Sequence, residues 1–209
     1  MTDLLFALTG FLVVIGAGLG LWRLWPHRRD GKVRMIRLGL VLTALAALVG
    51  TLRFAGGQVE ALSVWHGIAT DFAAAAGLVL IATGLALKAT AVKLPAGITR
   101  YIRIGIPVIV AFMMAFPGLD RLAGTLPAAA VLAGLAASGA LLTRRHWSAG
   151  LLWLAGFILI AVASLAIGAS REATTLGLAN WHIYHALTGV WAAMTGEAAR
   201  RLFAAPAHI

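Results

Sequence analysis

The chain has 209 residues, 61% of them hydrophobic and only 11% charged, with a mean hydropathy of +0.94. A soluble domain carries about a quarter of its residues as charges, so this composition excludes an ordinary soluble globule and points to an all-α polytopic membrane protein. The absence of cysteine removes disulfides, thiolate ligands and thiol nucleophiles, while the net charge of +10 takes its meaning from where the cations fall.

Seven apolar segments are long enough to cross a bilayer, at roughly 4–25, 34–54, 64–87, 99–117, 124–143, 147–169 and 178–202. About 20 residues suffice for a helix to span about 30 Å of hydrocarbon. The first run, from Leu4 to Trp25, is too long for a signal-peptide core and lacks a basic lead-in, so it reads as a retained span. The connections are short and rich in Gly, Pro, Arg or Lys, which predicts a single domain over residues 1–209 with helices alternating in direction.

Fourteen of the 17 Lys and Arg residues fall on one predicted side. They are Arg23, Arg28, Arg29, Lys32, Arg34 and Arg37, then Lys88, Lys93, Arg100 and Arg103, then Arg144 and Arg145, and finally Arg200 and Arg201. Arg53, Arg121 and Arg171 fall on the other side, beside Asp3, Glu60, Asp71, Asp120 and Glu172. The positive-inside rule then predicts an external N-terminus and a cytoplasmic C-terminus, in a membrane of the bacterial inner (plasma) type. The excess cation count is a topology signal and an attraction to membrane lipids with anionic headgroups, with no nucleic-acid partner implied.

Trp22, Trp25 and Trp147 sit at predicted inner boundaries, and Trp65 and Trp181 at outer ones, as interfacial aromatic belts do. Small-residue runs at 16–20, 73–77 and 133–140 predict close helix approach, on which association in lipid depends. Pro107 should kink the fourth segment, and Pro117 should close it.

Ionisable groups inside a span are costly and mark function. His66 and Asp71 fall in the first turns of the third segment, His182 and His185 in those of the seventh, and Arg53 at the end of the second. All lie in the predicted outer half. His27, His146 and His208 read as solvated residues of the basic loops and tail. Ser63 and Thr70 share a helix face with His66, whereas Asp71 is about 140° further round and about 7.5 Å deeper. A buried Asp71 needs a partner, and Arg53 is the nearest cation.

Three readings of the histidines stand side by side. They hydrogen-bond headgroups and neighbouring loops; or His66, His182 and His185 hold zinc with water in the fourth position and Asp71 as orienter or base. The third reading is haem b, with His66 and either His182 or His185 as axial ligands.

At 50–55 the chain reads GTLRFA, Asp71 opens the third segment, and 183–189 reads IYHALTG. This pattern resembles the ceramidase and progestin/adipoQ-receptor superfamily of seven-helix membrane hydrolases, whose zinc site uses a Ser-x3-His, an early third-helix Asp and a His-x3-His in the seventh helix. The resemblance places Thr51 at the Ser, Asp71 at the Asp and His185 at the last His. The family's other two histidines fall at Ala55 and Trp181.

Clustering of the intramembrane histidines together with the resemblance predicts a zinc-dependent hydrolase with its site toward the external face, and access from the bilayer makes a lipid amide or ester the expected substrate. His66, His182 and His185 would be ligands, of which the family pattern itself implies only His185. His66 and His182 enter by proximity, with Asp71 the base or orienter and Ser63 or Thr51 a donor toward the oxyanion. The alternatives are a b-type haem electron-transfer protein and a non-catalytic membrane receptor or lipid-binding protein. A transporter is disfavoured by the lack of an internal repeat, and a retinal protein by the lack of Lys in the seventh segment.

Overall fold

The computed structural model describes residues 2–204. His208 lies outside the described residues. Among the described residues seven long helices form, close to the apolar segments of the sequence, with a short 3-10 turn at Trp25–His27. We label them α1 (Thr2–Arg23), α2 (Gly31–Ala55), α3 (Ser63–Ala89), α4 (Ala96–Ala115), α5 (Asp120–Thr143), α6 (Trp147–Ile167) and α7 (Asn180–Ala204). The first six are long and apolar enough to cross a membrane, and α7 has the length but more polar residues. The chain is an all-α integral membrane protein.

The centre of the bundle is filled by large side chains such as Trp153, Phe157, Leu40 and Ile81, but on α1 side-chain size is sorted the other way. On α1, Leu4, Leu8, Phe11, Ile15 and Leu19 are exposed, whereas Ala7, Val13 and Ala17 are buried. In lipid, large apolar side chains lose nothing by facing outward, and small ones let backbones approach. The approach is extreme between α1 and α7. A Cβ added to Gly16 would overlap the Gly189 carbonyl, and one added to Gly196 would overlap Gly20. A second such contact joins α2 to α3, where a Cβ on Gly39 would lie 2.5 Å from the Gly77 oxygen.

These contacts close a ring in which α1 touches α2 and α7, α2 touches α3, α3 touches α5, and α5 and α6 lead back to α7. Helix α4 lies outside the ring against α2, α3 and α5, and is the least buried of the six apolar helices. Its Tyr101, Ile104, Val108 and Phe112 form an exposed stripe. Pro107 lies inside α4 and Pro117 beyond its end, at a point where Phe116 is already extended.

Two helices contain a π-helical turn, Ala73–Gly77 in α3 and Ala163–Ile167 in α6. Such turns insert one residue into the ladder and often mark functional positions. The connection from α6 to α7 is a two-residue hairpin, β1 (Thr174–Thr175) paired antiparallel with β2 (Leu178–Ala179). The seventh apolar segment was expected to be helical from 178, and the hairpin delays the helix to Asn180. We call this the hairpin end of the bundle, and the opposite one the basic end. At the basic end Glu197 binds Arg200 and Arg201 at 2.7 and 2.8 Å and reaches Arg23 at 3.7 Å.

The glycine contact generates a paired prediction. Gly16→Ala should destabilise by about 1–3 kcal/mol, because the new methyl meets backbone that cannot move aside. Gly18→Ala, with nothing within 4 Å of its Cβ position, should be neutral or stabilising. Thermal unfolding of the purified protein in detergent measures both.

Candidate functional site

The start of α7 is fixed by its own first residue. Asn180 donates to the Ile167 carbonyl at 2.7 Å and accepts from Thr175 at 2.8 Å, while the Trp181 amide donates to the Ser170 carbonyl at 2.8 Å. These bonds tie the hairpin and α7 to the end of α6, which sets the depth of every later residue in α7.

Trp181 was expected in an interfacial belt, but it is buried, at 5% exposure. The close α1–α7 approach turns it inward, and its indole meets four rings. It stacks on His185 at 4.1 Å, lies 5.7 Å from His66, and meets Phe54 and Phe6 edge-on at 5.2 and 5.9 Å. With Ala7 and Val59 these aromatics cap the bundle at the hairpin end.

Below this cap is a cavity of about 110 Å³, enough for several waters or a small organic group. All six ring helices line it. Its polar groups are Thr43 from α2, His66 and Thr70 from α3, Ser164 from α6, and Tyr184, His185 and Thr188 from α7. None of the lining residues carries a formal charge. Both π turns reach it, through Ala73 and Ala74 in one and Ser164 in the other. Ser164 is also exposed, so one residue belongs both to the cavity lining and to the outer surface of the bundle.

His185 is 7% exposed. Its Nδ1 lies 2.8 Å from the Trp181 carbonyl, which can only accept, so Nδ1 carries the proton and Nε2 is left as an acceptor. Tyr184 lines the cavity with Thr188 and Ser164, and its backbone carbonyl accepts from the Thr188 hydroxyl at 2.8 Å. His66 lies across α2, where a Cβ on Gly50 would be 2.6 Å from its Nε2, so only glycine leaves room for the ring.

The predicted site residues therefore divide. His66 and His185 line one cavity. His182 does not line it: its Nδ1 is 3.1 Å from the Thr9 hydroxyl and its ring stacks on Phe6 of α1 at 4.7 Å. Residues three apart on a helix still differ by about 60° in direction. At the corner where α7 meets both α1 and the interior, that angle separates the two histidines.

Asp71 is exposed and lines a separate cleft with Ile68, Met114 and Asp120. The expected Arg53–Asp71 ion pair is absent. Arg53 instead donates to the Val59 carbonyl and lies over Phe54 at 5.3 Å. Ser63 donates to the Glu60 carbonyl at 2.8 Å and Thr51 to the Ala47 carbonyl at 2.9 Å, so both hydroxyl protons are committed to backbone.

Among the described residues no group of three His, Cys, Asp or Glu side chains is placed to hold a metal ion. The zinc donor set suggested by the sequence does not fit this arrangement, because His182 and Asp71 face different neighbours from His66 and His185. A porphyrin does not fit either. The cavity is well below the about 300–1,000 Å³ of sites for large organic ligands, and the Nε2 edge of His66 is packed on Gly50.

Sequence reasoning had not assigned Thr43, Ser164, Tyr184 or Thr188 to the site. The signal was present in α7, where Tyr184 and Thr188 are four apart and Thr188 is three from His185. No protein-family model, curated protein or solved structure matches this chain.

Because His182 serves packing, His182→Phe should keep the stack on Phe6 and cost only about 1 kcal/mol for the lost hydrogen bond. Zinc added to chelator-treated protein should leave the thermal midpoint unchanged. A zinc-dependent rise that His185→Ala abolishes would overturn this division of the histidines.

Proposed function

We propose that this protein is a seven-span membrane protein, with an external N-terminus and a cytoplasmic C-terminus, whose bundle binds a small neutral amphiphile. It acts as a lipid-binding or receptor-type protein of the plasma membrane. The observation that carries the reading is the cavity itself: a mostly apolar space with several convergent hydrogen-bonding groups and no charged side chain. An ionised ligand would meet no counter-charge there and would lose its hydration, a penalty of several kcal/mol. A neutral hydroxyl or carbonyl would find a ready donor or acceptor in Tyr184, Thr188 and the Nε2 of His185.

The topology rests on the cation distribution and on seven helices joined by short connections. Access from the bilayer is supported by Ser164, which is exposed and lines the cavity, while Trp181, Phe54 and Phe6 cap the hairpin end. Hydrolysis of a lipid amide or ester would need an activated water, and no step through zinc follows from these residues.

A photoreactive long-chain alcohol, of which only the hydroxyl end enters the cavity while the chain stays in the bilayer beside Ser164, tests this. It should label the segments around His66–Ala74 and Tyr184–Trp191. Ala46→Leu, which fills the cavity from α2, should cut that labelling severalfold without lowering the thermal midpoint. The matching fatty carboxylate, added in excess above its pKa, should compete poorly. Labelling confined to α4, or unchanged by Ala46→Leu, would refute a ligand site within the ring.

A further inference from the structure

Away from the cavity, the cations at the basic end form a structure of their own. Two adjoining clefts of about 570 and 620 Å³ lie where the turn before α2 meets the start of α4. Arg29, Arg34 and Arg103 line both. Lys93 and Arg100 add to the first, and Arg28 and Arg37 to the second. Not one of these cations is in an ion pair among the described residues, since Glu197 takes only Arg23, Arg200 and Arg201. Asp30, the one carboxylate among the described residues of the clefts, is occupied in capping α2 through the amides of Lys32 and Val33.

Three of the guanidinium groups are also held in place. Trp25 lies under both Arg28 and Arg37, at 4.8 and 5.2 Å, and Arg34 donates to the Arg28 carbonyl at 3.0 Å. The Nε of Arg37 is buried without a hydrogen-bond partner among the described residues. Helix α4 begins in the same cleft with no side-chain cap, so its first amides add to the positive field. Fixing this many like charges together, with a donor left unsatisfied, is costly unless an anion completes the site. The second cleft continues onto Leu38 and Val41 of α2, an apolar floor leading away from the charges.

We propose that these paired clefts bind the two-phosphate headgroup of an anionic phospholipid, one phosphate in each, with an acyl chain laid along Leu38 and Val41. Two adjoining clefts sharing three arginines match two linked phosphates better than one. The apolar floor favours a lipid over a free anion. Basic pockets between helices at this side of a membrane are a known mode of such recognition.

Native mass spectrometry of the full-length protein with cardiolipin, phosphatidylcholine or inorganic pyrophosphate tests this. One cardiolipin per chain should be retained in preference to phosphatidylcholine. Arg34→Gln with Arg103→Gln should weaken retention by about 30-fold, and Arg100→Gln, an exposed position, by about fivefold. Arg144→Gln with Arg145→Gln, which removes the same charge outside the clefts, should change it less than about twofold. Equal loss in that control pair would mean diffuse electrostatics and overturn the site. Equal retention of phosphatidylcholine would overturn its anion selectivity. Pyrophosphate displacing cardiolipin at equal phosphate concentration would assign the clefts to a free anion.

Discussion

The architecture depends on the backbone contact between α1 and α7. Lipid offers helices no hydrophobic incentive to associate, so packing and hydrogen bonding must hold them together. Gly16 and Gly20 on α1, meeting Gly189 and Gly196 on α7, bring the first and last helices into direct contact and so close the ring. The same contact decides the fate of the histidines. It brings the flank of α7 carrying His182 against Thr9 and Phe6, and it leaves His185 and Thr188 facing the interior.

Helix positions were readable because the bilayer imposes a length rule on apolar sequence, and that rule is indifferent to packing. The small-residue runs were also readable, since Gly and Ala on a membrane helix have few other uses. What the one-dimensional pattern could not supply was direction around each helix. Asp71, His182 and Trp181 all have plausible roles by spacing alone, yet each faces a neighbour that only the ring arrangement selects. Asp71 turns to the cleft beside Asp120, and Trp181 turns in to stack on His185. The exclusion of α4 from the ring was equally invisible, because its composition resembles that of the helices inside.

The candidate site was legible to the extent of its histidines on α3 and α7. His66 and His185 share a cavity, as their common predicted depth suggested. Beyond Thr70, the hydroxyl groups around them were not legible because Thr, Ser and Tyr are cheap to place in a membrane helix. Most hydroxyls satisfy themselves on the preceding turn, as Thr43 does on Gly39 and Thr188 on Tyr184. Such residues carry little sequence signal. They acquire meaning only when several face one space.

The zinc ligands suggested by the sequence do not converge, and Trp181 shows one physical reason. Where the family pattern has a histidine, this chain has Trp181, whose indole occupies the space above His185 and contacts His66 as well. A large apolar ring there seals the hairpin end and removes a donor in the same step. The nearby carboxylate, Asp71, faces away, and the nearby cation, Arg53, is bound to the Val59 carbonyl. The interior is thus stripped of charge, while the basic end concentrates it. A neutral chamber beside Ser164 and a cationic cleft at the other end of the bundle are suited to the two parts of a membrane's own chemistry, its uncharged amphiphiles and its anionic headgroups.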